Sequence, residues 1–71
     1  MIYRIRILGT LDKQWAESSY GMTIEYTNDL QHGTMTILVG RLTDQCAFIG
    51  VLNALHDLDC PILSAECIEA M

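Results

Sequence analysis

Hydrophobic and polar positions alternate from the start of the chain. From Ile2 to Leu8, Tyr3, Ile5 and Ile7 fall on one side, and Arg4 and Arg6 fall on the other, flanked by Ile2 and Leu8. A period of two is what a strand with one face on a core requires. Gly9 and Thr10 weaken or bulge its end. A second alternation follows Gly21, with Met22, Ile24 and Tyr26 set against Thr23, Glu25 and Thr27. Asn28 to Gly33 supplies turn residues, and Thr34 to Leu42 reads as a third strand rich in β-branched side chains. These two runs predict a hairpin, with His32 solvated in its turn.

The pattern then changes period. Phe48, Val51, Leu52, Leu55 and Leu58 fall at i, i+3, i+4, i+7 and i+10, one stripe of a helix over about residues 43–58. Thr43 is the expected N-cap, and Asp44 favours the macrodipole from the first turn. Pro61 lies just beyond and blocks continuation. Ile62 to Glu69 reads as the last strand, with Ser64 and Glu66 on its wetter face. Residues 12–20 are ambiguous. Asp12 can cap a short helix, yet so short a helix is marginal alone. The segment is one or two helical turns, or an ordered loop, pinned by Trp15.

The element order is therefore β-(short α or loop)-β-β-α-β, an α+β fold with a mostly antiparallel four-stranded sheet and one main helix. Arg4 and Arg6 near the start have natural opposites in Glu66 and Glu69. Opposite charges on neighbouring strands stabilise by about 0.2–1 kcal/mol per pair, which places the first and last strands side by side. The succession fits a ferredoxin-like sheet with a degenerate first helix. It fits equally a meander with one helix across a face.

Composition narrows the function classes. Seventy-one residues make one domain, spanning 1–71. A domain this small hides only about 60% of the surface that its unfolded chain exposes. Yet 51% of the residues are hydrophobic and 18% charged, which points to a homodimer or higher oligomer that buries a second apolar face. Four basic residues against nine acidic ones, a net charge of −5, argue against nucleic acid and anionic membrane surfaces as partners. No apolar run approaches the roughly 18 residues of a membrane span, and no secretory leader is recognisable. The expected location is the cytoplasm. Cys46, Cys60 and Cys67 are odd in number and lack Cys-x-x-Cys spacing, so free, buried, inert thiols are expected.

There is no phosphate-binding glycine pattern, nucleophile elbow or His-Glu-x-x-His. His56-Asp57-Leu58-Asp59-Cys60 resembles a metal run, but Pro61 prevents His56 and Cys60 from sharing a helix face, and a helix C-terminus explains His56 better. Cys46 and His56 are separated by about 15 Å of helical rise, too far for a nucleophile–base pair. No catalytic residue, metal or cofactor is assigned, and the sequence leans away from an enzyme. Arg4 and Arg6 could hold a small anion, and Trp15 and Tyr20 near the sheet edge could line a small apolar pocket. Charge pairing for the arginines and simple burial for Trp15 are the preferred readings.

The far side of the main helix is unusual. Cys46, Ile49, Gly50, Asn53 and Asp57 carry one carboxylate and no base, and Ala47, Gly50 and Ala54 form a strip of small side chains. Gly50 costs about 1 kcal/mol against alanine in a helix interior, so close approach by another element is expected. Either the strip fits under the protein's own sheet or first helix, or it packs on the same helix of a second subunit. The candidate interface is Ala47, Ile49, Gly50, Asn53 and Ala54. Three functions remain: a non-enzymatic interaction module that associates with itself or another protein through the helix or an exposed sheet face, a regulatory domain binding a small molecule near a subunit interface at Arg4, Arg6 and Trp15, and an enzyme with an unrecognised site.

Several short segments carry a resemblance. They are Leu11-Asp12-x-x-Trp15, Gly21-Met22-Thr23-Ile24, Gly33-Thr34-Met35-Thr36, Gly40-Arg41-Leu42-Thr43-Asp44-Gln45, Gly50-Val51-Leu52 and Pro61-Ile62-Leu63-Ser64. With them the chain resembles a group of short bacterial proteins of unknown function. The resemblance implies a free-standing protein. Alanine is common in that group where this chain has Cys46, which argues against a required thiol there. It implies no activity, cofactor or catalytic residue.

Overall fold

The computed structural model describes residues 1–31 and 33–69. The expectation for His32 lies outside them. Six elements follow in order: β1 (Ile2–Leu8), α1 (Lys13–Tyr20), β2 (Thr23–Asp29), β3 (Gly33–Arg41), α2 (Gln45–Asp57) and β4 (Ile62–Glu69). The strands form one sheet in the order β2-β3-β1-β4, each neighbour antiparallel. A meander would pair β1 with β2. Here β1 sits between β3 and β4, so the arrangement is the ferredoxin-like one.

The alternation in β1 decides which face is covered. Tyr3, Ile5 and Ile7 are buried, and register places Leu38 opposite Ile5 and Ile24 opposite Leu38. Those side chains meet Val51 and Leu55 of α2 and Ala16 of α1 in one core. Burying a side chain of that kind contributes about 1.5–3 kcal/mol. Phe48 lies flat on Tyr3, ring centroids 4.1 Å apart and planes 12° from parallel. Leu52 is half-buried against the same core. Leu58, expected in the core stripe, falls just past α2 and is exposed.

Residues 13–20 are helical, as one branch of the sequence reading had it. The Asp12 carboxylate accepts the Gln14 N–H at 3.0 Å. Gly21 ends the helix in the left-handed region at φ 64°, and the Met22 N–H closes onto the Ala16 carbonyl at 3.2 Å. Thr36 is the one buried polar side chain among the described residues. Its hydroxyl donates to the Gly9 carbonyl at 2.6 Å and accepts the Leu11 N–H at 3.2 Å, which ties the β1–α1 connection to β3. Tyr26, exposed at the β2 edge, donates its hydroxyl to the Leu11 carbonyl.

Two expectations need correction. The N-cap of α2 is Asp44, not Thr43: its carboxylate accepts the Ala47 N–H at 2.9 Å. A carboxylate in that place serves both as cap and as a charge at the positive end of the dipole. The cysteines are free but not buried. Cys46 and Cys67 are exposed and Cys60 is intermediate, because Cys46 lies on the outer side of α2 and Cys67 on an edge strand. At the other end of α2, Asp59 adopts φ 59°, with the Asp59 and Cys60 N–H groups returning to the His56 and Leu55 carbonyls at 3.0 and 3.1 Å.

Candidate functional site

Both helices pack on the Ile5 side of the sheet, so its other face has no second layer among the described residues. Strand pairing sets out that open face in rows. One row runs Glu25, Ile37, Arg6, Ser64 across β2, β3, β1 and β4. The next runs Thr23, Val39, Arg4, Glu66, and a third Thr27, Met35, Leu8. Met35, Ile37 and Val39 therefore make an apolar column along β3, half-buried, with hydroxyls and a carboxylate on one side and two guanidiniums on the other.

Charge on the face is arranged by β1 and β4. Arg4 donates through Nε at 2.9 Å and Nη2 at 2.6 Å, both to Oε1 of Glu66. Arg6 reaches the same oxygen through Nη1 at 3.3 Å and the Ser64 hydroxyl at 3.3 Å. One carboxylate thus serves two guanidiniums, and the three side chains are 35–43% exposed. The hydrogen bond from Arg4 holds the Glu66 carboxyl below the ordinary carboxylate value. The charges of Arg4 and Arg6 and the hydrogen bond from Arg6 act with it, against desolvation. On the covered face, burial pushes the Tyr3 phenol up, with Cys67 and Asp44 adding to the shift. Arg4 and Arg6 do find a C-terminal acid. It is Glu66, while Glu69 lies opposite Ile2 and forms no ion pair with either arginine.

The residues of the proposed anion and ligand contact are not brought together within one chain. Arg4 and Arg6 lie on the open face, whereas Trp15 packs on the core side, its ring 5.2 Å from that of Tyr20 and tilted by 57°. The strip on α2 does not fit under the chain's own sheet or first helix, as one reading had it. Gly50 is exposed, and a Cβ added to it meets nothing within 4 Å. Ala47 packs against the core, Ala54 is half-buried, and Ile49 and Asn53 point outward. The crowded glycine is Gly40, whose Cβ would lie 2.8 Å from Cγ of Met22. Among the described residues no pocket forms, and no group of three His, Cys, Asp or Glu side chains gathers as a metal cage would. No described helix is long and apolar enough to cross a membrane.

The sequence reading did not single out the β3 column or Glu25. The signal was present in the third strand, where Met35, Ile37 and Val39 interleave with Leu38 and Leu42. A strand apolar on both alternations has two faces to cover, and the helices cover one.

These features define a two-layer ferredoxin-like α+β domain with one sheet face open. The chain belongs to the family described as Domain of unknown function (DUF8691), whose model matches residues 2–66. A comparison with curated proteins finds no match, and a comparison with solved structures finds none either.

Proposed function

We propose that this chain is a non-enzymatic homo-oligomeric interaction module that acts through self-association. The observation that carries this reading is the open sheet face, with the Met35–Ile37–Val39 column along its middle strand. Half of the residues are hydrophobic (51%), and eight large apolar side chains are exposed among those described, more than one small core absorbs. The partner is first of all a second copy of the chain, because an apolar column on a two-fold axis is self-complementary. Light scattering on an eluting sample gives the mass directly. At high micromolar concentration the expected value is a multiple of the 8.0 kDa chain. A monomer mass at that concentration would remove the reading.

A second reading rests on Arg4 and Arg6 outnumbering Glu66 at their cluster. A regulatory domain could take a small carboxylate or phosphate ligand there. Phosphate and short dicarboxylates would then raise the melting temperature by mass action. Unchanged melting across that panel counts against it.

A further inference from the structure

We infer that two copies of the chain pack their open sheet faces together about a two-fold axis running along β3, so that Arg6 of each copy meets Glu25 of the other. This inference rests on the self-association reading and specifies its geometry. Neighbouring strands lie about 4.8 Å apart, so β2 and β1 flank β3 at equal distances. A half-turn about β3 exchanges the β1 side for the β2 side and leaves each row at its own height. Ile37 then falls on Ile37 of the second copy, Val39 on Val39 and Met35 on Met35. In the same operation Arg6 falls on Glu25, because Glu25, Ile37 and Arg6 share a row.

The charges select this axis over the others. On the β1–β4 side the cluster of Arg4, Arg6 and Glu66 carries an excess of one positive charge, with Glu69 apart from it in the row of Ile2. Glu25, exposed on the β2 side, forms no ion pair among the described residues. An axis along β1 would set arginine on arginine. An axis across the strands would bring Arg4 onto Arg6. One midway between β3 and β1 would lay guanidiniums over the apolar column. Only the axis along β3 joins apolar to apolar and positive to negative, twice over by symmetry. Arg4 then faces Thr23, and β4 overhangs with Glu66 and Ser64 at a wet rim. The remaining like-charge meeting is Arg41 with itself at the end of β3, in the row of Ile2. Arg41 is exposed at the strand end, where a long side chain reaches water.

The test uses Glu25→Arg and Arg6→Glu chains, separately and mixed. Each variant alone places like charges opposite one another twice, so its dissociation constant should rise about tenfold or more. Mixed in equal amounts, the two are complementary at both contacts, and a heterodimer should form with nearly wild-type affinity. Gly50→Arg, on the outer side of α2, should leave association unchanged. Thermal melting of each variant checks that it is folded. Should Arg6→Glu not fold, Glu25→Arg alone decides, since among the described residues Glu25 has no ion pair to lose. A dimeric wild type whose Glu25→Arg variant associates equally well, or a mixture of folded variants that fails to recover, overturns this geometry and leaves self-association standing. If Gly50→Arg dissociates the dimer instead, the helix is the interface. A wild type that is monomeric at high micromolar concentration sinks both.

Discussion

A methyl group on Gly40 would sit 2.8 Å from Cγ and 3.0 Å from Cα of Met22. Met22 is fully buried, so neither side chain nor backbone yields freely. Gly40→Ala is therefore expected to destabilise by about 1–3 kcal/mol, the usual cost of overpacking. Gly50 is the opposite case: it lies in a helix interior, and nothing occupies the space around it. Gly50→Ala should stabilise by about 0.5–1 kcal/mol through backbone entropy. In a domain of this size 1 kcal/mol moves the melting temperature by about 4–8 °C, so two melting curves measure both changes. A fall in stability for Gly50→Ala would mean that another chain lies against that turn. Helix propensity pointed to Gly50 as a close approach, and within one chain nothing approaches it. Propensity reports only on the isolated helix, and the crowding at Gly40 arises from Met22, distant in sequence and just before β2.

At the level of elements, β1 and β4 are joined by the Glu66 cluster as well as by backbone pairing. The Glu66 carboxyl is held below its ordinary value of about 4.3, so the folded state binds its proton more weakly than the unfolded chain does. Its contribution is thus fully present above the ordinary value and is lost as pH falls through the lowered one. Glu66→Gln should be less stable than the wild type at neutral pH, and the gap should close as pH drops below about 4. Denaturant midpoints across pH 2–7 measure this; a gap independent of pH would mean the carboxylate contributes nothing. The period of two in β1, the helical stripe of α2 and the Arg4–Glu66 pairing were all legible in sequence, because each follows from local repetition or opposite charge. The helical state of residues 13–20 was not. It depends on the Asp12 and Gly21 caps acting together with Ala16 buried in the core, and the last of these is tertiary.

The whole molecule has two layers and three faces of apolar side chains, one more than its layers cover. Sequence counting detected the surplus through 51% hydrophobic content and left it between the outer side of α2 and an exposed sheet face. Strand order was the missing information: only with β1 between β3 and β4 do the rows of the open face become defined. If the native fold associates and the unfolded chain does not, the melting temperature must rise with protein concentration. If charged contacts join the copies, association also depends on salt, since screening shortens to about 3 Å at 1 M. Melting should therefore rise with concentration in dilute buffer and rise less in molar salt. A melting temperature flat over concentration would indicate a monomer.

The central position of β1 also bears on how the chain reaches its fold. The strand made first is the one whose two edges are closed by β3 and by β4, and Arg4 and Glu66 are 62 positions apart. During synthesis β1 waits with both edges open until β3 and then β4 emerge, so no two neighbouring elements can finish the sheet alone. Distant pairings of this sort slow folding relative to a helical bundle of equal length. They also prolong the interval in which bare strand edges on nascent chains can pair wrongly, which makes the yield of refolding fall as protein concentration rises.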